Sequence, residues 1–148
     1  MDNRISITLK NQLSEIERLS QVLDEFGRLH DLPIRDLRAM NLALDEILTN
    51  VISYGYDDSH EHQITVRLSL VRGELSAEVE DDARPFNPLT FPAADTEKPL
   101  AERTIGGLGI HMVRKLMDQL DYKRQQDRNF LVMRKKITQA TKGDENVY

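Results

Sequence analysis

The chain has 148 residues, 39% hydrophobic and 30% charged, with a net charge of −5 and no cysteine. That length suffices for one domain with its own core. The absence of cysteine excludes disulfides, thiolate chemistry and Cys-based zinc sites, and the acidic balance argues against direct nucleic-acid binding. No apolar run approaches the roughly 20 residues a membrane span requires. Met1 to Ser6 lack a secretory apolar region, so a cytoplasmic protein without membrane contact is expected.

Ile5, Ile7 and Leu9 alternate with polar neighbours and predict a first strand. From Asn11 the period changes, and Ile16, Leu19, Leu23 and Phe26 follow helical spacing, closed by Gly27 and Pro33. A stronger helix runs from Ile34 to about Tyr56, with Leu44, Ile47, Leu48 and Val51 on one face and Gly55 near its end. Ile64 to Leu70 and Leu75 to Val79 alternate on either side of Arg72-Gly73-Glu74, which predicts a hairpin. Periodicity then vanishes from Pro88 to Ile105, in a region rich in proline. Ile110, Val113, Met117 and Leu120 restore a helix. Tyr122–Arg124 and Phe130–Ile137 read as a last hairpin turning at Gln126 to Asn129. The order β-α-α-β-β-loop-α-β-β predicts an α+β two-layer sandwich, helices on one face of a mostly antiparallel sheet. Residues 1–140 form the domain and 141–148 a polar tail.

Three segments carry chemistry. Glu46 and Asn50, one turn apart, share a side of the second helix away from its apolar stripe. Such a pair is ordinarily a solvated polar face. Alternatively, the Asn50 amide oxygen suits Mg²⁺, which takes one or two hard protein ligands, and Glu46 suits a general base on an incoming hydroxyl. Glu80, Asp81 and Asp82 end a strand; they form either a charged turn or an acceptor for an exocyclic amine such as that of adenine. Gly106, Gly107 and Gly109 immediately precede or open an amphipathic helix, where bare backbone N–H groups can approach phosphate under the helix dipole. No Gly-Lys-Ser/Thr follows, which excludes a P-loop, and the Rossmann spacing is absent.

Taken together, Glu46 and Asn50, Asp81-Asp82-Ala83 with Pro85-Phe86-Asn87-Pro88, and Gly107-Leu108-Gly109 with Ile110-His111-Met112-Val113 match three boxes in order and spacing. From about Ile5 to Ile137 the chain resembles the small GHKL (Bergerat-fold) ATP-binding proteins of the bacterial anti-sigma serine/threonine kinase family. The resemblance implies that Asn50 coordinates Mg²⁺, Glu46 is the catalytic base and Asp81 reads the adenine amine of ATP. It places Ala83, Gly106, Gly107, Leu108 and Gly109 in the nucleotide site and makes residues 89–105 a lid, from which Arg103 reaches the terminal phosphate. It also implies a STAS-type anti-sigma factor antagonist phosphorylated on Ser or Thr, binding of a sigma factor, and a homodimer.

Two departures from the family pattern bear on nucleotide affinity. Ala83 stands where the superfamily has Gly, at a cost of about 1–2 kcal/mol if that position needs positive φ. Val132 stands in the last strand where many relatives have Thr near the adenine. These two residues favour the alternative, a nucleotide-sensing, partner-binding module without useful transfer. His60 and His62 flank Glu61 in a turn and read as a solvated loop rather than a metal site. The chain is too short to pair His30 with a separate phosphoacceptor helix pair, and His111 reads as a surface or packing residue on the last helix.

Overall fold

The computed structural model describes residues 3–89 and 107–138. The elements are β1 (Arg4–Lys10), α1 (Glu15–Leu29), α2 (Ile34–Tyr54), β2 (Gln63–Val71), β3 (Glu74–Asp81), α3 (Gly107–Leu116), β4 (Gln119–Gln125) and β5 (Arg128–Lys136). Among the described residues these form one five-stranded sheet in the order β1-β2-β3-β5-β4, antiparallel throughout. The expected element order and two-layer arrangement are both present.

Strand alternation decides which face is covered. Leu9, Ile64, Val66, Leu68, Leu75, Ala77, Val79, Leu131 and Met133 are buried on the inner face. Leu19, Leu23 and Phe26 of α1, Leu44, Ile47 and Leu48 of α2, and Ile110 and Val113 of α3 complete the core. The stripes of α1 and α2 are therefore those that the helical period marks out. The other sheet face is polar: Arg67 bonds Glu78 and Glu80 across the strands, at 2.8 and 2.7 Å, and Arg128 bonds Glu80 at 2.6 Å.

Two local differences from the sequence expectation have physical causes. Leu120 lies in β4, not in the last helix. The helix stops at Leu116, whose carbonyl accepts from the Lys135 ammonium at 3.1 Å. Asp118 then redirects the chain: its N–H donates to the Arg134 carbonyl at 2.9 Å, while its carboxylate accepts from the Lys136 N–H at 2.6 Å. Strand pairing thus outcompetes the helical period. The β4–β5 turn is also tighter than expected, with only Gln126 and Asp127 outside the strands, both at positive φ (53° and 60°). Two positive-φ residues match the right-handed twist of the flanking strands. Arg72 and Gly73 repeat that solution between β2 and β3 (53° and 75°).

The C-terminal end of β5 is tied to the start of α2. Asp36 is 1% exposed, and its two carboxylate oxygens accept from the Thr138 N–H at 2.8 Å and the Thr138 hydroxyl at 3.1 Å. In the first turn of α2 that carboxylate also faces the positive end of the helix.

Candidate nucleotide site

A cleft of about 200 Å³ opens between α2 and the ends of β3 and β5. Its walls are largely apolar, from Ile47, Val51, Val79, Ala83, Phe86 and Leu131. Among the polar side chains that line it are Asn50 from α2, Asp81 from the last position of β3, and Asn129 from β5. An apolar slot with a few convergent polar groups is what a small planar ligand requires.

Asp81 is 3% exposed. Its Oδ1 accepts from the Ala83 N–H at 3.0 Å and from the Asn129 amide at 2.8 Å. Burial pushes its carboxyl above the ordinary aspartate value, while these two donors pull the other way. Among the described residues its Oδ2 receives no hydrogen bond, leaving an acceptor for a ligand donor.

The Asn50 amide nitrogen is buried without a partner among the described residues. A buried orphan amide normally costs about 1–3 kcal/mol and so marks a group awaiting a ligand or water. Its oxygen is the hard donor that Mg²⁺ accepts, and one protein ligand suffices when phosphate and water fill the other positions. No group of three or more His, Asp or Glu suited to a metal occurs among the described residues. The donor set thus fits an ion carried in on phosphate, not an all-protein cage.

Glu46, a turn before Asn50, packs against the opening of α3. A Cβ on Gly109, the third residue of α3, would overlap the Glu46 carboxylate. Glycine there leaves room for the Glu46 carboxylate in its present rotamer. The N-terminal turn of α3, begun by Gly107 and Leu108, therefore lies beside the carboxylate that the sequence singles out, where unpaired N–H groups favour negative charge. Arg103, Gly106 and residues 90–105 of the expected lid lie outside the described residues.

Over residues 9–135 the sequence matches the histidine kinase-like ATPase domain. The chain belongs to this family. Its relatives include a serine/threonine-protein kinase, BtrW, of Bordetella bronchiseptica, 27% identical over 94 residues that make up 64% of this chain and 66% of that protein. They also include an anti-sigma F factor of Clostridium perfringens, 28% identical over 142 residues, 93% of this chain and 99% of the relative. The solved RsbU and RsbW domains of Rv1364c from Mycobacterium tuberculosis share the fold. The TM-score is 0.67 at 15% identity, with 92% of this chain and 32% of that one covered.

Within this histidine kinase-like ATPase domain, the two departures noted in the sequence take on different meanings. Ala83 does not adopt positive φ, so the anticipated backbone penalty does not arise. It is 4% exposed and packs toward Gly55, the C-cap of α2, where a Cβ would come within 2.7 Å of the Ala83 Cβ. The space relinquished at residue 55 is the space the alanine occupies. Val132 is not beside the cleft at all. Inward positions on β5 are Asn129, Leu131 and Met133, and Val132 lines the opposite, polar face with Arg67, Glu78 and Arg134. The polar residue facing the cleft from β5 is Asn129. The sequence reading places Asn129 in the turn, whereas the structure places it in β5, two residues before Leu131 and on the same inward face.

Two of the four histidines lie as the sequence suggests, His60 exposed in the α2–β2 loop and His111 on the surface of α3. His30 packs its ring on Phe26 at the end of α1, centroids 4.5 Å apart. His62 is not simply a solvated loop residue. Its ring stacks on Tyr56 at 4.2 Å, and its two nitrogens face Asp82 at 3.0 Å and Asp58 at 2.8 Å. These carboxylates raise its pKa. The α2–β2 loop is thereby fastened to the strand end that carries Asp81, and Arg84 adds an ion pair with Asp57.

Proposed function

We propose that this chain is an ATP-dependent serine/threonine protein kinase and anti-sigma-type regulator, which phosphorylates a STAS-domain anti-sigma factor antagonist and binds a sigma factor. The observation that carries the reading is the entry into one cleft of an orphan amide and a half-satisfied buried carboxylate, with a glycine-opened helix held against the glutamate one turn before that amide. The names of the relatives, a serine/threonine kinase and an anti-sigma factor, support it.

Asp81 accepts the adenine amine, with the ring between the apolar walls of the cleft. Asn50 would hold Mg²⁺ through its amide oxygen, and the ion would neutralise phosphate charge. The backbone N–H groups opening α3, with Gly106, Gly107 and Gly109, receive phosphate oxygens as negative charge develops. Arg103, outside the described residues, is the arginine the family resemblance assigns to the terminal phosphate. Glu46 takes the proton from the attacking serine or threonine hydroxyl, and fixed positioning by α2 spares reorganisation during transfer. A cytoplasmic homodimer is the form in which such a regulator would meet its partners. No helix of the described residues is long and apolar enough to cross a membrane.

The alternative, a nucleotide sensor without transfer, drew on Ala83 and Val132. With Ala83 free of positive φ and Val132 on the far face, neither favours it. The test is incubation with labelled ATP, Mg²⁺ and STAS proteins, followed by phosphosite mapping. Glu46→Gln should lower the transfer rate by about 10²–10⁴-fold with nucleotide affinity little changed. A partner that binds yet is never phosphorylated by the wild type would return the reading to a sensor.

A further inference from the structure

Asp81 and Asn129 face each other on the last rung of the β3–β5 ladder. Both are buried, at 3% and 5% exposure. The Asn129 amide nitrogen donates to Asp81 Oδ1 at 2.8 Å, and reaches the carbonyls of Ala83 at 3.2 Å and Arg84 at 3.0 Å. On its other side, the Asn129 oxygen accepts from the Tyr122 hydroxyl at 2.5 Å and from the Arg124 guanidinium at 3.0 Å. A guanidinium only donates, so the amide oxygen must face it. The amide cannot flip, and its NH₂ faces Asp81 together with the Ala83 and Arg84 carbonyls.

We propose that Asn129, held by Arg124 and Tyr122, is the positioning residue that fixes Asp81 as a one-oxygen acceptor and thereby sets the purine specificity of the site. This inference rests on the reading of Asp81 as the adenine acceptor. With Oδ1 filled by Asn129 and the Ala83 N–H, the carboxylate cannot rotate without breaking two hydrogen bonds. Oδ2 alone faces the ligand. Two donors on one oxygen also favour the ionised form, which accepts and never donates. A 6-aminopurine presents the matching N–H, whereas a 6-oxopurine sets its carbonyl oxygen against the carboxylate. Discrimination therefore depends on a residue that need not touch the base.

The test measures binding of ATP and ITP, with Mg²⁺, by calorimetry between pH 6 and 8.5. Wild type should prefer ATP, and Asp81→Asn should abolish the preference. Asn129→Leu, similar in size but without a donor, should weaken ATP by roughly 10- to 100-fold, the value of one charge-assisted hydrogen bond. ITP affinity should hardly change, so the ratio collapses. A second readout separates positioning from general loosening. Deprived of the Asn129 donor, the buried carboxylate takes up its proton at higher pH, so the residual ATP preference of Asn129→Leu should decline as pH falls from 8 to 6 while wild type stays flat. The charged and titratable groups around it are Asp82 beside it, Arg128 on β5, Tyr56 on the α2–β2 loop and Arg124 on β4; all remain in the variant. A purely structural role would weaken both nucleotides alike, without a pH slope, and would overturn the inference.

Tyr122→Phe, which removes one hydroxyl and leaves Arg124 in place, should reduce the ATP-to-ITP ratio partially; it decides the matter if Asn129→Leu does not fold. An unchanged ratio in the folded variant sinks the positioning role alone. Failure of wild type to bind ATP, or an unaltered preference in Asp81→Asn, sinks the reading of Asp81 and the inference with it.

Discussion

Gly109→Ala separates the placement of Glu46 from the stability of the fold. The three atoms nearest to an added Cβ are the Oε1, Cδ and Cγ of Glu46. Only the end of a flexible side chain stands in the way, so the helices need not part. Displacing that side chain from its preferred rotamer costs about 0.5–1.5 kcal/mol, while replacing glycine within a helix by alanine gains about 0.8–1 kcal/mol. The net is within about 1 kcal/mol, a change in melting temperature of no more than roughly 2–4 °C for a domain of about 150 residues. Transfer, by contrast, should fall by about 10²–10⁴-fold, because the proposed base has been moved. The assay pairs thermal unfolding with phosphorylation of a STAS partner at saturating ATP. A Glu46→Ala background completes a double-mutant cycle, in which Gly109→Ala meets no obstacle and should stabilise by the full helix-propensity gain. Identical stability effects with and without Glu46, or wild-type transfer by Gly109→Ala, would refute the close packing and the role built on it.

Three further outcomes follow from packing and charge. Gly55→Ala places a methyl group against the Val51 carbonyl and the Ala83 side chain and should cost about 1–3 kcal/mol; chemical denaturation measures it, and combining it with Ala83→Gly should recover part of the loss. Asp36→Ala leaves the Thr138 N–H without its acceptor and should cost about 1–3 kcal/mol, with hydrogen exchange rising first at the end of β5. His62 has its pKa raised by Asp82 and Asp58, so its stabilisation is complete below the unfolded value of about 6.5 and is lost as pH rises through the higher folded value. Urea unfolding from pH 6 to 8.5 should therefore show the advantage of wild type over His62→Gln shrinking with pH; a constant difference would contradict the bridged imidazolium.

Periodicity made the layers legible because burial and side-chain period are the same fact seen twice: Leu44, Ile47 and Leu48 mark a helix face, and Ile64, Val66 and Leu68 a strand face. The sequence could not show that Leu120 leaves the helix, since its helical spacing from Met117 is real and only the pairing with Met133 overrides it. Glu46, Asn50, Asp81 and Gly109 were visible as motif residues, and the structure brings Asn50 and Asp81 to one cleft and Glu46 against Gly109. Asn129, Tyr122 and Arg124 were hidden because their meaning depends on register. The alternation of Leu131 and Met133 marks the inward face, but that Asn129 meets Asp81 there depends on a pairing between β3 and β5 that the sequence alone does not show.

The sheet order joins a hairpin built early in the chain to one built late, and the joint between them is β3 against β5. The bond from Asn129 to Asp81 spans 48 positions of sequence. Each hairpin can close through local contacts, but this seam requires a long loop to be closed first, an entropic toll that neighbouring contacts must offset. The pocket is therefore absent from every partly folded chain that lacks the seam, including one emerging from the ribosome with β5 still unsynthesised. Nucleotide bound at that seam would draw the folding equilibrium toward completion by mass action. Its affinity is then a measure of whether the two halves of the polypeptide have found each other.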